Sequence, residues 1–276
     1  MALHLPTFYT RTLSAVVFVG MMFIGLLWNE AAFTILICLI QFLCIREFFL
    51  LAAKIFPQYR PVLWVQIAMQ AVAAYVVCSN IYFLEQTFNY LSLYKITVLL
   101  AELFPAVLFL AAVLSKQSAL QQLLVGIGAL VYIALPISLL QYLYHQYCYL
   151  PMAVFAFLWI NDTMAYIIGS FIGKHPLSPV SPKKTWEGTI GGIVLTIVVG
   201  LAAHMFIKTY DINFVAVAGC AAIAGTFGDL LESKLKRMAG VKDSGTIMPG
   251  HGGALDRFDS LLITVPFVCG CYLLFQ

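Results

Sequence analysis

The sequence predicts an all-α, polytopic integral membrane protein with about nine transmembrane helices, and three observations lead there. Apolar residues make up 62% of the 276 residues and charged residues only 10%. Soluble domains carry roughly 25% charge, so this chain has too few charges to cover a water-facing surface. The mean hydropathy is +0.96, and that much apolar surface also excludes a disordered chain. The apolar runs are continuous rather than alternating, which argues against a β-barrel.

A bilayer core takes about 20 apolar residues per helix. Stretches near 12–28, 31–50, 62–84, 96–114, 122–143, 150–173, 188–207, 213–232 and 256–275 meet that need. The first follows Arg11 with no small-residue cleavage site, so it reads as an uncleaved helix and not as a signal peptide. The second ends with Arg46 and Glu47 inside it, and the fourth contains Glu102 and Pro105. His145 sits among Tyr142, Tyr144, Tyr147 and Tyr149, a pattern that reads as an interfacial aromatic belt. With the N-terminus in the cytoplasm, 12 of the 15 basic residues fall on cytoplasmic segments and only Lys95 and Lys208 on the far side. Positive residues stay inside, so this orientation is the expected one. The seven cysteines are scattered through apolar runs, with neither zinc-site nor disulfide-framework spacing. No repeat or linker divides the chain. It reads as one membrane domain, 1–276, with 1–150 given mainly to helical packing and lipid-facing spans and 151–276 carrying the site.

Polar residues concentrate in that second half. Asn161 and Asp162 lie inside an apolar span, FAFLWINDTMAYIIG. A carboxylate at that depth costs about 3 kcal/mol on insertion scales, so it must face protein, water or a cation. The next loop, GKHPLSPVSPKKTWEG, is kept non-helical by Pro176, Pro179 and Pro182 and presents Lys183 and Lys184 ahead of a helix start. Two lysines at a membrane edge usually fix topology or meet anionic lipid. Here the helix start behind them also offers N–H groups to a phosphate.

The richest segment is GTFGDLLESKLKRMAGVKDSGTIMPGHGGALDRFD, residues 225–259. Asp229, Ser233, Lys236 and Arg237 fall on one helical face, and Asp256 and Asp259 are one turn apart at the start of the last span. Between them runs a glycine-rich loop with Lys242, Asp243, His251, Gly252 and Gly253. A salt-bridged turn between two helices would need no such combination. Carboxylates beside open space suit Mg²⁺, which keeps waters and takes one or two carboxylates plus substrate phosphates. Flanking cations suit a polyphosphate, and glycines let backbone N–H groups approach phosphate oxygens. The set points to metal-assisted phosphoryl or nucleotidyl transfer at the cytoplasmic membrane edge.

At these residues the sequence resembles the phosphatidate cytidylyltransferase, or CDP-diacylglycerol synthase, family. The family pattern appears as Ser233, Lys236-Arg237, Lys242-Asp243, His251-Gly252-Gly253 and Asp256-Arg257-Phe258-Asp259. The flanking Met248 and Ala254 differ from the pattern in size only. The SPKKTWEG and NDTMAYIIG runs are also similar to the family, so the likeness extends over about 150–276. The resemblance implies that CTP and phosphatidic acid give CDP-diacylglycerol and pyrophosphate, with Mg²⁺ and a possible second cation, in a homodimer whose site opens to the cytoplasm. It implies catalytic roles for Asp229, Asp256 and Lys242, and metal binding by Asp229, Asp256 and Asp259. Substrate binding would fall to Lys183, Lys184, Ser233, Lys236, Arg237, Asp243, His251, Gly252 and Gly253, with Asn161 and Asp162 completing the polar cavity. The size and the lack of a targeting segment fit a bacterial inner membrane, and no nucleic-acid partner is expected.

Two other readings stay open at this point. A CTP-dependent polyprenol or phytol kinase would use the same nucleotide but pass its γ-phosphate to an alcohol. An ion-coupled secondary transporter would use membrane acids as a relay, with helices broken at Pro105 and Pro136. The acids and bases gather at one membrane face beside a glycine-rich loop, which suits a soluble nucleotide better than a path across the bilayer.

Overall fold

The computed structural model describes residues 5–60, 63–78, 119–207, 212–247 and 252–274. Helix α1 (Leu5–Leu27) is followed after a short turn by α2 (Glu30–Ile55). Asn29 starts α2 by accepting the Ala32 N–H at 2.8 Å, while Glu30 in the first turn and Lys54 in the last match the helix dipole. Helix α2 runs past the predicted end at residue 50 because Arg46 and Glu47 do not interrupt it: Glu47 is buried. Helix α3 (Leu63–Cys78) comes next. The predicted fourth span, with Glu102 and Pro105, lies outside the described residues.

Helix α4 (Ala119–Ala129) passes through a π-helical turn, Leu130–Ala134, into α5 (Leu135–Gln146). In that turn the Leu135 N–H reaches back to the Leu130 carbonyl. Pro136 explains it: a proline has no N–H to give and its ring crowds the carbonyl four residues earlier, and a wider turn relieves that clash. The helix therefore passes Pro136 without the break a transporter reading would need. Helix α6 (Leu150–Ile172) carries Pro151 in its first turn, where no N–H is missed.

The proline-rich loop forms an antiparallel hairpin, β1 (Pro176–Ser178) and β2 (Ser181–Thr185), a more ordered arrangement than a non-helical loop. Its turn is tied by Val180 N–H donating to Ser178 Oγ at 3.3 Å. Its base is tied by Trp186 N–H donating to the His175 carbonyl at 2.9 Å. Glu187 adds a clamp, accepting the Lys174 and His175 N–H groups at 3.2 Å each and meeting His175 Nδ1 at 2.6 Å. Thr185 then caps α7 (Trp186–Phe206) by accepting the Gly188 N–H at 3.2 Å. Helices α8 (Phe214–Met238) and α9 (Leu255–Leu274) complete the chain. Gly240, at φ +67°, supplies the left-handed residue that stops α8.

Among the described residues, helices occupy the parts of the predicted spans that are described, and six are long and apolar enough to cross a bilayer. Two shorter apolar segments, Val16–Leu27 and Val65–Cys78, add to these. The protein is an all-α, multi-pass integral membrane protein. The seven cysteines form no disulfide.

The chain divides into two compact units. The first comprises Met1–Gln146 and Met238–Arg257. Its centre is α2, which packs on α1, α3 and α5 through Phe33, Ile37, Cys44 and Ile45, all fully buried. One end of that core is polar: Gln141 Nε2 lies 3.4 Å from Glu30 Oε1, and Gln141 Oε1 takes the Thr34 hydroxyl at 3.3 Å. His145 stands 3.9 Å from the same Glu30 carboxylate, and Tyr144 stacks on Phe33 at 4.2 Å. These two members of the expected aromatic belt thus also take part in packing.

The second unit comprises Tyr147–Arg237 and Phe258–Gln276. Its closest helix pair is α6 with α7, and glycine makes the approach possible. A β-carbon on Gly192 would stand 2.9 Å from Ala165 Cβ and 3.0 Å from the Asn161 carbonyl oxygen. One on Gly188 would stand 2.6 Å from the Ala165 carbonyl oxygen. Small residues of this kind drive helix association in lipid, where no hydrophobic effect separates helix from acyl chain. Gly228 does the same for α8 and α9: a β-carbon there would meet the Asp259 carbonyl oxygen at 2.6 Å.

Gly192→Val should therefore push α6 and α7 apart and cost about 1–3 kcal/mol. A clearly lowered thermal-unfolding midpoint in detergent is the expected result. Gly219, where an added β-carbon would find no atom within 4 Å, is the comparison: Gly219→Ala should leave the midpoint unchanged or slightly raised. Equal effects of the two substitutions would contradict the packing argument.

Candidate functional site

The second unit holds a polar cavity of about 470 Å³. Helix α6 contributes Asn161 and Asp162, β2 contributes Lys183 and Lys184, α7 contributes Thr189, and α8 contributes Thr226 and Asp229. The close α6–α7 approach places the first of these opposite the hairpin that leads into α7. Both lysines line the cavity, but Lys183 is exposed whereas Lys184 is half-buried and ion-paired with Asp229 Oδ2. Asp229 Oδ1 accepts the Ser233 hydroxyl at 3.2 Å, one helical turn further along α8.

The residues of this cavity offer hard oxygen donors. Asn161 is 2% exposed, and its Oδ1 has no hydrogen-bond partner. A buried amide oxygen without a donor is costly, and a cation would satisfy it. Asp162 lines the same space and lies within electrostatic reach of both Lys184 and Asp229. Asp259, 8% exposed, lies within such reach of Asp229, Asp162 and Lys236, and its Oδ1 accepts the Ser260 N–H at 2.7 Å. Among the described residues no three His, Cys, Asp or Glu side chains converge tightly enough to cage an ion alone.

The predicted face of α8 is brought together only in part. Asp229 and Ser233 meet, but Lys236 is ion-paired with Glu232, which is fully buried. Lys236 thus spends part of its charge inside the protein. Arg237 is exposed. The sequence reading did not single out Glu232, although at i+3 from Asp229 and i−4 from Lys236 it shares their helical face.

The glycine-rich loop and the first turn of α9 belong to the first unit. Here Asp256 Oδ2 accepts three hydrogen bonds: Gly253 N–H at 2.7 Å, Ser244 N–H at 2.8 Å and Ser244 Oγ at 3.0 Å. Gly252 needs its glycine twice over, since its φ is +89° and a β-carbon would stand 2.6 Å from Asp256 Oδ2. Glu47, from α2, is the second carboxylate at this loop. It is 1% exposed and accepts Ser244 Oγ at 2.7 Å, Leu255 N–H at 2.8 Å and Ala254 N–H at 2.9 Å. The loop's N–H groups at Ser244, Gly253, Ala254 and Leu255 therefore go to the protein's own carboxylates, not to a phosphate as their glycine-rich setting suggested. Lys242 and Asp243 are exposed beside them. His251 lies outside the described residues. The one sequence signal for Glu47 was a carboxylate in the apolar run of a span.

The pattern of the Cytidylyltransferase family matches residues 9–275. Among curated proteins, the phosphatidate cytidylyltransferase of Staphylococcus haemolyticus is 42% identical over 148 residues, covering 52% of this chain and 54% of that protein. The phosphatidate cytidylyltransferase of Staphylococcus epidermidis is 50% identical over 121 residues, 42% of this chain and 46% of that protein. That of Staphylococcus aureus is 48% identical over 118 residues, 41% of this chain and 45% of that protein. The chain spans about half the length of the curated relatives it matches. A family match across nearly all of its residues, on a fold whose polar side chains gather around an oxygen-lined cavity, is decisive: the chain belongs to the cytidylyltransferase family.

Proposed function

We propose that this chain transfers the cytidylyl group of CTP to phosphatidic acid, giving CDP-diacylglycerol and pyrophosphate for phospholipid synthesis. The observation that carries the proposal is the cavity in which a cation, Lys184, faces the carboxylate of Asp229 beside the partnerless oxygen of Asn161. The family membership and the names of the relatives support the same reading. A lysine and an oxygen-rich cation site side by side suit a polyphosphate and its metal.

The nucleophile is a phosphate oxygen of phosphatidic acid. It bonds to the α-phosphorus of CTP as the bond to the bridging oxygen breaks, and pyrophosphate leaves with the electron pair. Phosphate is already ionised near neutral pH, so no side chain has to remove a proton. The protein's task is to bring two anions together, and positioning with electrostatic stabilisation carries such reactions. Lys184 binds a phosphate oxygen by turning from Asp229, and Lys183 draws the anionic substrates from the aqueous side. Lys242 and Arg237, both exposed, take outer triphosphate oxygens, with Lys236 adding what charge Glu232 leaves it. Asp243 and the residues 251–253 shape the nucleotide's surroundings.

Asp229 is the principal metal ligand in this reading, with Asp162 and Asn161 Oδ1 beside it and Asp259 completing the set. Asp256 Oδ2 is taken up by the loop, which gives Asp256 a part in shaping that loop. Mg²⁺ bound there supplies positive charge for the triphosphate and for the pyrophosphate as it departs. The excess of basic residues on one set of loops supports a cytoplasmic N-terminus and site, the bacterial relatives support an inner membrane, and a homodimer is the assembly that the family resemblance implies.

Purified protein in detergent, given labelled CTP, phosphatidic acid and Mg²⁺, should release pyrophosphate and form CDP-diacylglycerol, and a chelator should stop both. Release of CDP with a phosphorylated lipid alcohol would establish the kinase reading in its place. CTP-independent ion-driven uptake into vesicles would favour a transporter.

Asp229→Asn should lower kcat by about 10²–10³-fold, the size of a lost electrostatic anchor, with little change in the unfolding midpoint. Asp256→Asn should lower activity and the midpoint together, because three donors converge on its Oδ2. Lys54→Ala, at the exposed end of α2, should change neither. Near-normal turnover of the Asp229 variant would remove the metal assignment.

A further inference from the structure

We propose that Glu47 is a positioning residue for the reaction: it fixes Ser244 and the start of α9, and through them the carboxylate of Asp256. The inference rests on the proposed cytidylyl transfer for its kinetic consequence, but its geometry stands within the first unit alone. Glu47 lies 197 residues before Ser244 in the chain, far from the charged motif of residues 233–259. Its two oxygens divide three donors between them. Oε2 takes the Ser244 hydroxyl and the Leu255 N–H, and Oε1 takes the Ala254 N–H.

Each partner has a consequence. The first N–H groups of a helix have no partner inside it, and Glu47 answers those at the start of α9 with a negative charge at the positive end of the helix dipole. The Ser244 oxygen lies within hydrogen-bond distance of both Glu47 Oε2 and Asp256 Oδ2, so its single proton joins the two carboxylates. The surrounding glycines are shaped to Glu47. A β-carbon on Gly245 would collide with Glu47 Oε1, and one on Gly253 with Glu47 Oε2 and Ser244 Oγ. Gly253, which read as an opening for a ligand, and Gly245 thus make room for a side chain of the protein. Lys242 and Asp243 immediately precede Ser244, and Arg257 and Asp259 follow the anchored turn, so what Glu47 holds is bracketed by the charged motif.

The test compares Glu47→Gln, Ser244→Ala and the double variant with the unaltered protein, all as full-length chains in detergent. Glutamine keeps the size of Glu47 but replaces one acceptor oxygen with a donor. Glu47→Gln should reduce kcat/KM for CTP tenfold to a hundredfold, the scale of a small misplacement of reacting groups. Ser244→Ala should reduce it less, and the double variant should be no worse than Glu47→Gln, since both act through one link. KM for CTP should move more than kcat. Amide hydrogen exchange at Ala254 and Leu255 should quicken in Glu47→Gln while the rest of α9 keeps its protection. If Glu47→Gln cannot be purified folded, Ser244→Ala and the exchange of the same two amides carry the test. Losses that multiply in the double variant, kcat/KM within twofold of normal in both single variants, or unchanged amide exchange would overturn the proposal. An unaltered protein that makes no CDP-diacylglycerol, with the exchange pattern as expected, would overturn the assigned reaction and leave the anchor standing.

Discussion

A carboxylate inside a membrane protein has to be answered by the chain itself. Hydrocarbon offers it no water, and leaving a charge or a polar oxygen alone there is costly enough to shift the whole energy balance. With 10% charged residues, this chain has few opportunities to make that error and few to spend. Its buried acids are each met by a specific donor or cation: Glu47 by Ser244 and two N–H groups, Asp259 by the Ser260 N–H, Glu232 by Lys236. The helices are arranged around these meetings as much as around apolar packing. Glu47 shows it best, since the close backbone approach at Gly245 and Gly253 exists only because its carboxylate fills the space a β-carbon would take.

Small residues provide the other half of the construction. In lipid, helices gain from touching each other chiefly through close packing. Gly188 and Gly192 bring α7 onto α6, and Gly228 brings α8 onto α9, in each case next to a polar residue of the cavity or its surroundings. The backbone is near enough that Asp162, Asp229 and Asp259 influence one another, yet the acids stay far enough apart that they do not form a closed cage.

Much of this was legible in the sequence, and the exceptions share a cause. The spans could be read because continuous apolar runs have one cheap solution in a bilayer, the helix. Asn161, Asp162 and Asp229 could be singled out because polarity in such a run is expensive. The pairing of Lys184 and not Lys183 with Asp229 could not be read, since it depends on the loop becoming a hairpin that sets the two lysines against α8. Lys236 reads as available in the sequence, yet its neighbour Glu232 is buried against it. Glu47 was visible only as a charge that weakened a span. A hydrogen bond across 197 residues leaves no local pattern, and without its partners a buried carboxylate and a helix end look alike. Periodicity reports which face an element buries; it is silent on which distant backbone N–H groups will need an acceptor.

The saturation of each polar group separates scaffold from site. Asp256 Oδ2 and Glu47 are surrounded by donors from rigid backbone, several of them N–H groups that have nowhere else to go. A ligand that displaced those donors would expose them in turn, so these oxygens gain little from binding anything new. Asn161 Oδ1 is in the opposite condition, buried and without a donor. Asp229 lies between the two, held by a lysine side chain and a hydroxyl, both of which can swing to other partners at small cost. The motif acids are therefore not equivalent, although the sequence writes them with the same letter. Asp256 and Glu47, bonded to backbone, define the shape of the loop, whereas Asp229 is held by side chains that can move and Asn161 Oδ1 has no partner.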